Sequence, residues 1–310
     1  MLVRIGVVTL NTYREAVRAR ILHGLFALAL GTAGYALVVG AFALRDSTRV
    51  VSDLGSASIS LYAIVVAVVL GATSLYRELE LKTIFPILAR PLRRAEYLIG
   101  KYVGTVLTLA VFIAANSGAL LLALAQLAGQ ETLRVVAVAV GTTALAGIFA
   151  WRLPRWRTYV PIPWSLLLLA LGYWVAREAP DDRQVVLGAA LLTLCEVSIV
   201  AALATVFAAF SSPFLTAVFT FGFFALGRSA DTLAQLPERV FGAWIHDAGV
   251  ALSKVLPNLM VYVPPRPLLT GEAANVDFRQ YLLLAAAQSL GWAVLLLGLA
   301  SMIFRRRDFL

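Results

Sequence analysis

Few side chains in this sequence are equipped for chemistry, and they stand far apart. Glu196 is the first, a carboxylate inside the apolar run Leu192-Thr-Leu-Cys-Glu196-Val-Ser-Ile-Val200. Burying a carboxylate in such a run is costly, which points to a proton step, a substrate contact, or a hydrogen-bonded link between helices through Ser198, Thr193 or a neighbour. The histidines, His23 and His246, are separated by most of the chain and make no metal site. Cys195 is the single cysteine, so neither an internal disulfide nor a cysteine-built metal site is available. No Gly-x-x-x-x-Gly-Lys-Ser/Thr loop, His-Glu-x-x-His pair or Gly-x-Ser-x-Gly elbow occurs. The chain therefore carries no catalytic set, and an intramembrane enzyme is disfavoured. The second stretch is a charged island, Arg77 to Lys101, with six basic residues (Arg77, Lys82, Arg90, Arg93, Arg94, Lys101) beside Glu78, Glu80 and Glu96. Glu78 and Lys82 have the stabilising i,i+4 order of a helix. Leu79, Leu81, Ile84, Phe85 and Leu88 add an apolar ridge, and Pro86 and Pro91 force a turn. Charged edges around such a ridge suit a short helix that docks a separate protein.

The elements that must position these residues are membrane spans. Of 310 residues, 61% are hydrophobic and only 14% charged, well away from a soluble domain. Mean hydropathy is +0.86. Apolar runs reach the ~20 residues that cross a bilayer as helix. The expected fold is an all-α polytopic membrane protein, one transmembrane domain over 1–310 with about eight spans. These are 21–44, 56–76, 102–128, 135–151, 158–176, 185–210, 213–228 and 281–304. Arg45 to Gly55 and Arg177 to Gln184 read as polar loops. The first run is too long for a removable signal peptide. Residues 1–20 read as an interfacial helix, with Val3, Val7, Leu10 and Val17 on one side. Segment 229–280 reads as an extracytoplasmic segment with an amphipathic helix after Pro237 that carries Trp244. Asn116, Ser117, Gln288 and Ser289 read as polar contacts between helices.

Charge assigns sides. Sixteen of the 26 lysines and arginines lie in 1–20, 77–101, 152–157 and 305–307, with five acids nearby. Eight crossings put these stretches on one face, and the positive-inside rule makes it cytoplasmic, termini included. The net charge of +9 is thereby explained without nucleic acid.

The island resembles the cytoplasmic loop of type-2 ABC exporter permeases, in style closest to the subgroup that includes the nitrous-oxide-reductase maturation permease. That loop runs roughly Glu-x-Glu-x-x-Thr, Leu-x-x-Pro, Arg and Gly-Lys. The matching positions are Glu78, Glu80, Thr83, Leu88, Pro91, Arg93 or Arg94, Gly100 and Lys101. Asn11 to Arg20 is similar to the family's N-terminal elbow helix, and Leu256-Pro-Asn-Leu259 is a weaker match. The resemblance implies a permease in a bacterial or archaeal cytoplasmic membrane, a second copy in a homodimer, and a separate ATPase subunit that brings ATP and Mg. No cofactor is implied in this chain. It further implies that Glu78, Glu80, Thr83, Pro91, Arg93 and Arg94 couple to the ATPase. Ser211, Ser212 and Pro213 would make a second, smaller contact. The family core has six spans, so 135–176 reads as an inserted hairpin.

Two functions follow as expectations. The first is ATP-driven export, and the apolar spans favour a lipid-like or amphiphilic cargo over a small ion. The alternative is a mechanotransmitting membrane anchor that works on extracytoplasmic partners through 229–280 without passing a substrate. Membrane lipid is a partner in either.

Overall fold

The computed structural model describes residues 2–42, 46–80, 93–237, 239, 242–272 and 277–306. None of these lies in a strand. Helix α1 is Leu2–Arg18, α2 is Arg20–Phe42, α3 is Ser47–Glu80 and α4 is Arg94–Leu127. Then come α5 (Thr132–Arg152), α6 (Pro161–Val175), α7 (Pro180–Ala208) and α8 (Pro213–Arg228). Three short helices follow, α9 (Ala230–Ala234), α10 (Ala243–Val255) and α11 (Arg266–Thr270), and α12 (Phe278–Arg306) closes the chain.

Among the described residues six helices, α2, α3, α4, α5, α7 and α12, are long and apolar enough to cross a membrane. The molecule is a multi-pass, all-helical membrane protein. The remaining two expected spans are also helices, but α6 has 15 residues and α8 has 16. At 1.5 Å per residue they reach only about 22–24 Å, short of a ~30 Å hydrocarbon core.

Two regions read as loops in the sequence are helical. α3 begins at Ser47 and continues for 34 residues, about 51 Å. α7 begins at Pro180, with proline at the start of the helix and Asp181 and Asp182 in its first turn. Polar residues mark the ends of spans, but a helix needs no apolar composition once it leaves the bilayer, so polarity alone misplaced these boundaries.

The core is built on α3, α4 and α7. Val66, Ala67, Leu109, Leu121 and Val197 are among the residues at its centre. A second cluster joins α4 and α7 to α12 and the 3-10 turn Leu259–Tyr262 through Tyr97, Ile199, Leu259 and Phe304. The two helices of the 135–176 region behave differently. α6 lies tight on α4: a Cβ on Gly172 would stand 2.8 Å from the Gly118 carbonyl oxygen. Only glycine permits that approach, the usual device for packing helices where lipid removes the hydrophobic drive. In α5, by contrast, Leu133, Val140, Leu145 and Phe149 are exposed and Thr142 alone is buried.

Ser289 bridges α12 to α7, within 2.6 Å of Ser198 Oγ and donating to the Cys195 carbonyl at 2.9 Å. Asn116 turns back on its own helix, its Nδ2 donating to the Phe112 carbonyl at 2.8 Å. In α10, Trp244, Ile245, Leu252 and Val255 are exposed, while Gly249 is buried against the Leu233 carbonyl of α9.

Candidate functional site

Two charged assemblies stand out in the bundle. The first lies beside the island. Lys101 is the pivot, a lysine only 5% exposed. Its Nζ lies 3.4 Å from Glu15 Oε2 of α1 and donates to the Ser74 carbonyl of α3 at 3.1 Å. α1 can come close because α4 presents Gly100 and Gly104 toward it. A Cβ on Gly104 would meet the Thr9 carbonyl oxygen and Thr12 Cβ, each at 2.6 Å. Thr9, Thr12, Tyr13 and Ala16 are the buried face of α1, and Val3, Val7 and Leu10 are exposed. Burial in contact with Tyr159 pushes the Tyr13 hydroxyl well above its ordinary pKa, so it stays protonated.

The start of α4 is fixed independently. Glu96 accepts from the Arg93 N–H at 3.2 Å, closing the first turn. Arg94 Nη1 donates to the carbonyls of Phe304 and Arg305 at 3.1 Å each, capping the end of α12 with a cation. Tyr13 stacks on Tyr159 at 6.3 Å between ring centroids, and Arg14 covers the same ring at 4.8 Å. These contacts gather α1, the start of α4, the end of α12 and Tyr159 at one end of the bundle.

The expected coupling residues distribute unevenly. Glu78 and Glu80 are on the last turn of α3. Thr83 and Pro91 lie outside the described residues. Arg93 and Arg94 open α4, as above. Ser211, Ser212 and Pro213 form the sharp α7–α8 turn, where each hydroxyl has a local task. Ser211 Oγ donates to the Phe207 carbonyl and sits 2.7 Å from Thr216 Oγ1. Ser212 is the N-cap of α8, its Oγ accepting from the Leu215 N–H at 3.5 Å. Proline at the first helical position completes the start.

The second assembly surrounds Glu196, which is fully buried in α7. Arg228 at the end of α8 meets it two-pronged, Nε to Oε1 at 2.7 Å and Nη2 to Oε2 at 2.9 Å. Such a fork satisfies both oxygens of the carboxylate. Sequence reasoning missed this partner, looking instead to Ser198 and Thr193. Ser198 in fact hydrogen-bonds Ser289. A signal was available: α7 and α8 are antiparallel about a tight turn. Glu196 is 12 residues before the end of α7 and Arg228 is 15 after the start of α8, heights of about 18 and 22 Å.

Arg228 borders a chamber of about 660 Å³, with Ser56, Ser60 and Leu61 of α3 and Phe224 of α8 in its lining. At the rim, Arg266 of α11 ties α3 to α7. Its Nη1 donates to Asp53 Oδ1 at 2.5 Å and to Ser52 Oγ at 3.1 Å, and its Nη2 donates to Asp182 Oδ1. Ser52 also donates to Asp182 at 3.1 Å. Asp53, Asp182 and Arg266 were unmarked in the sequence, since each sits in a polar stretch that looks solvated. Tyr262, in the lining, donates to the Ala285 carbonyl at 3.2 Å, and burial holds its hydroxyl protonated above the ordinary range. Both guanidiniums are neutralised by carboxylates, and the rest of the wall mixes apolar side chains with the hydroxyls of Ser56, Ser60, Thr193 and Tyr262. Apolar surface and hydroxyls share this lining, which suits contact with an amphiphile, and the Ser60 hydroxyl lies against the Glu196 carboxylate. Among the described residues no group of three His, Cys, Asp or Glu side chains could hold a metal ion.

No protein-family model matches the chain, and no curated protein matches it.

Proposed function

We propose that the chain is the membrane subunit of an ABC exporter, with residues 78–94 of the 77–101 loop docking a separate ATPase that binds ATP and Mg. In this reading the protein sits in a bacterial or archaeal cytoplasmic membrane with both termini cytoplasmic, and works as a homodimer. The observation that carries it is the joint at Lys101. One ammonium links α4 to α1 and α3, and Arg94 ties the same end of α4 to α12. A force applied to the segment between α3 and α4 would thus reach four helices at once, which is what a coupling element requires. The chamber beside Arg228 supports an amphiphilic cargo, since its lining sets apolar side chains such as Leu61, Ile64 and Phe224 beside ion-paired arginines and the hydroxyls of Ser56, Ser60 and Thr193.

Co-expression with an ATPase encoded beside it tests the reading. Glu80→Lys and Arg93→Glu are expected to abolish co-purification of the ATPase or ATP-dependent activity. If both variants keep both, the coupling assignment is wrong.

A second reading, a mechanotransmitting anchor, is favoured by one observation: α10 exposes Trp244, Ile245, Leu252 and Val255. Deleting 238–256 distinguishes the two. Loss of an extracytoplasmic partner with substrate flux intact supports the anchor, and loss of flux supports the exporter.

A further inference from the structure

A slot of about 480 Å³ lies between α5 and α6. Its walls are apolar: Leu145, Ala146, Phe149, Trp164 and Leu167 among others. Thr142, at the end of the slot away from Leu153, is satisfied by the Val138 carbonyl at 2.8 Å and asks nothing of an occupant. Leu145, Phe149 and Leu167 are exposed along it, so the slot opens on the side of the molecule that meets lipid.

Its mouth is chemically different. Leu153 and Trp156 line the slot and alternate in sequence with Arg152, Arg155 and Arg157, all of them exposed. None of these three arginines pairs with a carboxylate among the described residues. Arg152 covers Trp151 at 5.5 Å. No Asp or Glu occurs from 132 to 177. Arg14 of α1 adds a fourth guanidinium, held 4.8 Å over Tyr159, another residue of the lining. α1, with Val3, Val7 and Leu10 exposed, has the character of a helix lying at the interface. Trp156 and Tyr159 have the character of a headgroup-level belt. An acyl-sized apolar slot, and at its mouth three guanidiniums from an acid-free stretch with Arg14 as a fourth, match one ligand chemistry.

We propose that the α5–α6 slot is a binding site for an anionic phospholipid. The acyl chain lies against Phe149, Trp164 and Leu167, and the phosphate is held by Arg152, Arg155 and Arg157, with Arg14 alongside. Clusters of basic residues beside membrane helices recognise acidic headgroups by this charge complementarity.

The protein reconstituted in phosphatidylcholine nanodiscs tests it. A minor fraction of lipid with brominated acyl chains, phosphatidylglycerol or phosphatidylcholine, is added. The difference in tryptophan fluorescence between wild type and Trp164→Phe reports quenching at Trp164. We expect quenching several-fold stronger with the brominated phosphatidylglycerol, and equal quenching by the two lipids in the triple variant Arg152→Gln, Arg155→Gln, Arg157→Gln. Filling the slot with Ala146→Phe should abolish quenching by either lipid in excess of that seen at an exposed tryptophan. Equal quenching in the wild type, an undiminished preference in the triple variant, or insensitivity to Ala146→Phe overturns the site. Displacement by inorganic phosphate at matched ionic strength overturns the assignment to lipid.

Discussion

Glu196 and Arg228 face each other as a fork, with Nε 2.7 Å from Oε1 and Nη2 2.9 Å from Oε2, across two helices joined by a tight turn. The carboxylate is fully buried and the arginine side chain 25% exposed. Two charges taken out of water gain little net stability when paired, but an orphaned one is expensive. Arg228→Leu, which strands the carboxylate, is therefore expected to destabilise the protein by about 3–5 kcal/mol. The double variant Glu196→Leu, Arg228→Leu should recover most of that loss. Thermal unfolding in detergent, run as a double-mutant cycle, checks both. Additive single losses would mean the pair is not coupled.

The contact between Gly118 and Gly172 makes a sharper demand on size. A Cβ at position 118 would stand 2.8 Å from the Leu168 carbonyl carbon and the Leu169 nitrogen, backbone atoms that cannot rotate away. Gly118→Leu should push α6 off α4 and cost about 1–3 kcal/mol, the usual range for overpacking. Gly141→Leu in α5, where a Cβ meets nothing within 4 Å, should be close to neutral. Similar losses at the two positions would contradict the packing described.

At the chamber rim, Arg266 joins Asp53 and Asp182. Asp182 is 7% exposed, so Arg266→Gln leaves a buried carboxylate with Ser52 as its remaining partner. Roughly 1–3 kcal/mol is expected to be lost locally, since a buried polar group without its partner keeps its desolvation cost. Hydrogen exchange should rise at the starts of α3 and α7, and stay unchanged at α1. Unchanged exchange at Asp182 and its neighbours would show that Arg266 does not hold the rim.

Lys101 is expected to govern α1. Replacing it with methionine removes the bond to Glu15 and the bond to the Ser74 carbonyl while keeping most of the packing. Faster exchange over residues 2–18, with α4 itself unaffected, is the predicted signature. Under the exporter reading, the ATPase partner assembled with the same variant should also hydrolyse ATP without cargo moving. Exchange in α1 that matches wild type would remove Lys101 from the joint.

Much of the fold was legible in the sequence because a bilayer imposes a simple rule. A helix in hydrocarbon satisfies its own backbone, so runs of apolar residues mark the spans almost irrespective of detail. α2, α4, α5 and α12 follow from composition in this way, and the island beside Lys101 stands out because charge is rare elsewhere. Helix ends were harder to read. Ser47 and Pro180 begin helices in stretches whose polarity suggested loops, because helix hydrogen bonding continues past the membrane where composition no longer reports it. Pairing across helices lay further out of reach. Glu196 was visible as a costly carboxylate, but its partner stands at the far end of the next helix. Arg266, Asp53 and Asp182 meet from three separate segments. The composition of a segment records the solvent it must meet, which is a local property. Which cation reaches which carboxylate depends on helix height and rotation, and only the packed bundle decides those.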